Sequence, residues 1–479
     1  MLQSDIKKII DVPFRFSWIV ILIGVVAGCK VGPDYERPGI SLPDTYRFSE
    51  TTDTSSLTGW WKLFDNPELD SLVAFALENN QDIAVAAERV LEARAVTGYQ
   101  KSDLYPSIGY DGTAGRGIQF VPNSGVGGPW NTFSGVAQLA WELDFWGKYR
   151  RANEAARAEL LATENARRAV QLSVITDITQ LYFSLLDYRA RLDIAKCTYQ
   201  SRLESLRIIK DRFDEGVSPE LDLNQAQIQA AIAEAAIPQY ERLTASTENA
   251  LAVLLGVAPK AIDVQYSLND QKHVPVIPAG LPSQLLERRP DVLMAEYLLA
   301  AQSARIGVAQ AMRFPSISLT GMLGAASSEL STLTSGDAII WSVAGGITGP
   351  IFQWGKNKRR VDIERARFRQ DSLYYVQTLL NAFREVEDAL VEVKTLERES
   401  EIRQRQMEAA ENASVLSFDR YQGGVTSYLE VLDSQRSEFD AQLSASETYQ
   451  RYLSSYIRLY KALGGGWNDR DETVNAGSQ

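Results

Sequence analysis

One histidine and two cysteines in 479 residues leave little for metal or redox chemistry to work with. No His/Cys cluster has metal-ligand spacing, and there is no phosphate-cradling glycine loop and no nucleophile elbow. We therefore expect no enzyme and no cofactor, with His273 an exposed bystander in a proline-containing linker. A basic excess is also missing. Lys and Arg number 49 against 61 Asp and Glu, a net charge of −12, which argues against a nucleic-acid partner. Beyond the first segment, no apolar run is long enough to cross a bilayer as a helix. Residues 148–213 and 356–421 lack both proline and glycine. At about 1.5 Å per residue each stretch can form one helix roughly 100 Å long. No globular core needs such helices, so they read as coiled-coil or helical-barrel elements.

What is present begins at the N-terminus. Lys7, Lys8 and Arg15 precede an apolar run at 18–26, and Ala27-Gly28-Cys29 follows. That pattern is a signal peptide, residues 1–28, ending at a lipobox-like cysteine. Val26 stands where Leu is commoner, and Lys30 is not the Asp of an inner-membrane retention signal. Cys29 is the expected lipid anchor, heading an extended arm over 29–66. Cys197, inside a helical stretch, is expected to be a small buried side chain. With Cys29 acylated, no disulfide can form within the chain.

The rest of the chain says one thing twice. Asp82, Gly98 and Pro106 recur 209 residues later as Asp291, Gly307 and Pro315. Further on the offset is 208: Trp146-Gly147-Lys148 recurs as Trp354-Gly355-Lys356, and Leu255-Gly256 as Leu463-Gly464. A period this long duplicates a domain-sized unit, unlike the short periods of solenoids. The units span 67–256 and 282–464, with a linker at 257–281 and a polar tail at 465–479.

Each unit predicts the same four parts. A helix comes first, closed by Pro106 or Pro315. A β-hairpin follows, at 106–146 or 315–353. Phe133, Ala137, Leu139, Trp141 and Leu143 alternate there with Ser134, Gln138, Glu142 and Asp144. Such alternation over more than a dozen residues suits a transmembrane barrel strand. Next comes the long helix, 148–213 or 356–421. A tight turn leads to the return helix, 219–255 or 427–463. Gly216 and Gly424 are placed to end the long helices, Ser218 and Thr426 to cap the return helices, with Pro219 at the first helical position. Pro238 is expected to interrupt the first return helix and kink it. Two hairpins supply only four strands, and an open edge cannot sit in lipid. Three chains would give twelve strands, within the size range of known barrels.

The lipobox start, KVGPDYERP from Lys30, WWKLFDNPELDSLV from Trp60, the FWGK and QWGK corners, SYLEVLDSQRS from Ser427 and LYKALGGGW from Leu459 together resemble the TolC-like outer-membrane factor family, nearest its OprM-like lipoprotein branch. The resemblance implies a mixed α and β membrane protein: a homotrimer with a 12-stranded β-barrel, four strands per chain, continued by a long periplasmic α-helical barrel, with an internal two-fold structural repeat. It implies an outer-membrane exit channel for small molecules, working with a periplasmic adaptor and an inner-membrane transporter of the RND class. A type I secretion conduit and a metal-efflux conduit are alternatives, and a lipid-anchored periplasmic scaffold is a distant one. It also implies two sets of site residues. Leu429, Asp433 and Arg436, at i, i+4 and i+7 on one helix face, would form the periplasmic gate. Their copy-one counterparts are Leu221, Gln225 and Ile228, so any charged ring comes from copy two alone. Arg212, Gly216, Val217 and Ser218, with Arg420, Gly424, Val425 and Thr426, would form the adaptor-docking tips.

Overall fold

The computed structural model describes residues 30–39, 46–48, 59–121, 125–271 and 285–465. The signal peptide, Cys29, His273, and most of the polar tail lie outside the described residues. Helices α1 (Pro67–Asn79) and α2 (Gln81–Ser102) lead into strands β1 (Ser107–Val121) and β2 (Gly125–Leu143), then the long helix α3 (Lys148–Asp214) and the return helix α4 (Glu220–Leu254). The second half runs α5 (Pro290–Ala311), β3 (Ser316–Ser327), β4 (Ile339–Thr348), α6 (Lys356–Gln422) and α7 (Tyr428–Ala462). Corresponding helices have equal lengths: 22 residues for α2 and α5, 67 for α3 and α6, 35 for α4 and α7.

Two compact units divide the chain. The first comprises residues 1–39, 89–164 and 294–375. It holds one antiparallel sheet of order β1-β2-β3-β4. In the hairpins Ser107 pairs with Ala140 and Ser316 with Thr348, the same pair in both copies once the offsets are applied. β1 and β3 carry weaker alternation than β2, yet run for 15 and 12 residues. Ladder bonding to neighbours on the sheet outweighs weak side-chain preference. On β4, Ile339, Trp341, Val343 and Ile347 are all exposed in one chain, forming the apolar face that alternation predicts. Beneath the sheet, Ala155 packs on Ala301 and Ala304, small side chains that let α3 and α5 approach closely.

The N-terminal segment is clamped into this unit. Arg151 is 1% exposed, and its guanidinium donates to the carbonyls of Val31 (3.2 Å) and Gly32 (2.9 Å). It also pairs with Asp34 at 3.0 Å and Glu154 at 3.1 Å. Gly32 has φ +106°, and a Cβ there would lie 2.5 Å from the Cα of Gly307, so only glycine fits. Arg37 closes the strap with a two-pronged bond to Glu296, at 2.7 and 2.8 Å.

The second unit comprises residues 40–88, 165–293 and 376–479. Asn66 caps α1 by accepting the backbone N–H groups of Glu68 and Leu69, with Pro67 at the first helical position. Trp60 stacks on Tyr460 at 4.8 Å, and Phe64 meets Phe183. The duplication holds in side-chain detail. Asn80 donates to the carbonyl of Leu254, and Arg289, its counterpart, donates to that of Ala462. Each joins the start of a first helix to the end of a return helix. Gly256 and Gly464 follow those ends with positive φ; a Cβ would strike Asn79 O at 2.3 Å or Arg288 O at 2.8 Å. The repeated Leu-Gly pairs therefore mark one close approach, made twice.

Three expectations are corrected. α4 continues through Pro238 instead of being interrupted. Only one backbone bond is lost there, and Ala236, Ile237 and Tyr240 pack on Ala195 and Phe439 and hold the rod. Cys197 is exposed, because Ala195 takes the core position and a residue two further on points about 200° away. Ser218 and Thr426 are not the caps. Pro219 and Ser427 occupy those positions, with no side-chain cap bond.

Candidate gate and docking tips

Both helix-turn tips close the same way. Val217 N–H donates to Arg212 O at 2.8 Å, and Val425 N–H donates to Arg420 O at 2.9 Å. Gly216 and Gly424 take the left-handed conformation, φ +75° and +73°, that this closure requires. In the first tip Ser218 N–H also binds Arg212 O, which holds Ser218 in the loop, one residue before the cap position that Pro219 takes. Thr426 donates its hydroxyl to Glu430 instead of capping α7. Val217 and Val425 are 71% and 72% exposed, apolar side chains that the turns themselves do not need.

The two tips form one packed block. Ile209 and Ala226 from copy one join Tyr421, Tyr428, Val431 and Leu432 from copy two in a single core. The Arg212 guanidinium lies over the Tyr421 ring at 4.8 Å, a cation–π contact linking tip to tip. Burial pushes the Tyr428 hydroxyl up to about 12. Of the eight tip residues, Arg212 thus has a structural role beyond any docking.

On α7, Val431, Leu432 and Gln435 face this core, whereas Leu429, Asp433 and Arg436 are exposed. Arg436 donates to Asp433 at 2.7 Å within the same helix, with both side chains about two-thirds exposed. An exposed i,i+3 pair contributes at most about 1 kcal/mol, so it adds little to folding. On α4, Leu221 and Ile228 are exposed at the matching positions. Copy one therefore shows an apolar face where copy two shows charge.

Sequence reading missed Arg202. It is buried on α3 and donates to both the side chain and, at 2.5 Å, the main-chain carbonyl of Gln435. Burial lowers its pKa, against the opposing pull of the Glu438 carboxylate, and it forms no ion pair among the described residues. It fixes α7 from the side opposite Asp433. Nothing in the local sequence marks it, since Arg also fills exposed positions on α3. Cys29 lies outside the described residues, but its neighbour is placed: Lys30 pairs with Glu154 at 2.8 Å, and Val31 N–H donates to Trp146 O at 3.2 Å.

Comparison with known proteins follows the same repeat. The model of the outer membrane efflux protein family matches twice, at residues 72–257 and 281–465, once per copy. The chain is 35% identical over 448 residues to the cation efflux system protein CusC of Escherichia coli O6:H1, covering 92% of this chain and 96% of that protein. It is 34% identical over 456 residues to the probable outer membrane lipoprotein SilC of Salmonella typhimurium, covering 93% and 97%. Among solved structures, the Campylobacter jejuni CmeC outer membrane channel superposes with a TM-score of 0.86 at 27% identity, covering 94% of this chain and 98% of that one.

Proposed function

The chain belongs to the outer membrane efflux protein family, and from that membership we propose that three copies close one pore, fed by an inner-membrane transporter of the RND class through a periplasmic adaptor. The protein is an outer-membrane efflux channel. In our reading it conducts passively and performs no chemistry. The observation that carries closure by several copies is the sheet itself. β1 and β4 are its two ends, each with one unpaired edge. Neither edge can face lipid, so β4 of one chain must pair with β1 of the next.

Quasi-equivalence supplies the register. Within a chain Ala137 pairs with Leu323 across β2 and β3. Moving copy one forward by 208 and copy two back by 209 turns that pair into Gly345 and Ala114 of neighbouring chains. Ala114→Cys with Gly345→Cys should give disulfide-linked oligomers on a non-reducing gel. Ala114→Cys with Ala344→Cys should not, because a one-residue slip sends the side chains to opposite faces. Equal cross-linking of both pairs, or of neither, rules the register out.

Leu429, Asp433 and Arg436 serve as the periplasmic gate, and the two tips as the adaptor contact. Their exposure, with no structural task for Val217 and Val425, supports the assignment. The strap ties Val31, two residues after Cys29 in sequence, to Trp146 just beyond β2, which suits a lipid anchor at Cys29. Cys29→Ala should abolish palmitate labelling, and labelling that persists counts against the anchor. Cation efflux is a second reading, favoured by the match to CusC. Copper tolerance against organic-dye tolerance, in cells carrying the cognate pump, separates it from the small-molecule reading.

A further inference from the structure

The two WGK corners have diverged in charge. In copy one every base is neutralised. Glu142 accepts from Lys148 (3.1 Å) and Tyr149 (2.9 Å). Asp144 accepts from the Arg150 side chain at 3.2 Å and from the Tyr149 and Arg150 backbone. Arg151 is taken up by the strap. In copy two, Pro350 and Phe352 stand where Glu142 and Asp144 would fall. The bases stay: Lys356, Lys358, Arg359 and, where copy one has Ala152, Arg360. Lys356 and Lys358 form no ion pair among the described residues. Arg359 reaches Asp362 only at 3.7 Å, and Arg360 donates to the Met312 sulfur and to Asn357. Lys356, Lys358 and Arg360 thus form no ion pair among the described residues; Lys356 and Arg360 line one cavity with Glu142 and Asp144, acids that the copy-one bases already occupy.

What precedes them along the chain matters as much. The exposed apolar positions of β4 end at Ile347, and Ile351 continues them. Phe352 and Trp354 follow, both exposed, with ring centroids 4.8 Å apart. Trp354 holds φ +50°, a conformation tryptophan rarely adopts, which needs support from outside the local backbone. Hydrocarbon-facing residues, then aromatics, then cations is the order of layers met on leaving a bilayer. Solvated bases at a soluble surface would carry no such order.

We propose that residues 352–360 form a headgroup site for an anionic phospholipid in the periplasmic leaflet. The site rests on the outer-membrane channel reading. Lys356 and Arg360, one turn apart on the same side of α6, bind the phosphate, while Phe352 packs on the glycerol and upper acyl region. In the proposed trimer Asp103 of the next chain takes the place of Met312, one acid that leaves the bases in excess. The duplication supplies a partial internal control, since the copy-one corner keeps bases at 148, 150 and 151, has Ala152 where Arg360 stands, and satisfies its bases internally.

The test is native mass spectrometry of the full-length protein released in detergent, with dioleoyl phosphatidylglycerol or dioleoyl phosphatidylcholine added. The wild type should retain phosphatidylglycerol in preference, by about tenfold or more. K356Q/R360Q should lose the preference, and R403Q/R405Q, remote on α6, should keep it. P350E/F352D, which restores the copy-one acids without touching a base, should lose it too. Equal retention of both lipids by the wild type, or an unchanged preference in both variants, overturns the site. Planar-bilayer recording on the same preparations separates the two failures. Conductance steps without lipid preference sink only the site, whereas a wild type that gives no steps sinks the channel reading beneath it.

Discussion

Asp433→Ala with Arg436→Ala raises single-channel conductance, by at least about twofold, while stability barely moves. The pair is exposed and, among the described residues, bonded only within α7. Removing it takes away at most about 1 kcal/mol of surface ion pairing. In the proposed trimer the same substitution removes three carboxylates and three guanidinium groups from one constriction, where charged rings govern passage. Stability and conductance therefore separate, which a merely structural pair would not allow. Leu221→Ala with Ile228→Ala, at the uncharged counterparts, should change conductance less. A double mutant that conducts like the wild type removes Asp433 and Arg436 from the gate.

The second large effect lies at the clamp. Arg151→Ala should cost about 2–4 kcal/mol, from a cavity left by a buried side chain and from two strap carbonyls losing their donor. Asp34 is exposed and Glu154 keeps Lys30 as a partner, so neither adds the penalty of an isolated buried charge. Arg151→Lys keeps the charge but loses the fork that reaches two carbonyls and two carboxylates, and should fall between. Gly32→Ala should release the strap while leaving Arg151 in place, because its Cβ meets backbone. Faster proteolysis within residues 30–39 and a lowered Tm are the readouts, and unchanged protection in both Arg151→Ala and Gly32→Ala refutes the clamp. The pH dependence has a definite sign. Arg151 and then Lys30 hold the Asp34 carboxyl below its ordinary value. Its contribution is complete above the ordinary carboxylate range and is lost as pH falls through the lowered one.

Much of the architecture was legible because its signals are local and repeated. Helix lengths, hairpin positions and the glycines of both tips could be read from period, from the absence of proline and glycine, and from a constant offset. The offset even anticipates strand register, since both hairpins pair alike. The misreadings are of one kind. Ser218 and Thr426 looked like caps, but the closure of each turn sets the cap position one residue later, at Pro219 and Ser427. Pro238 looked like a break, but neighbouring helices hold α4 together across it.

The sequence alone therefore determined the plan: two copies, each a helix, a hairpin, a long helix and a return, behind a lipobox-like start. That plan depends on periodicities of two and 3.6 residues and on backbone-restricting residues, all local properties. Only the tertiary structure decided which of many similar arginines are buried: Arg151 under the strap, Arg202 behind Gln435, Arg289 at the end of α7. It alone showed one WGK corner neutralised by its neighbours and the other left open. Burial and pairing depend on which residues, often more than a hundred positions apart, meet in space. An arginine carries no mark of that meeting until the chain has folded.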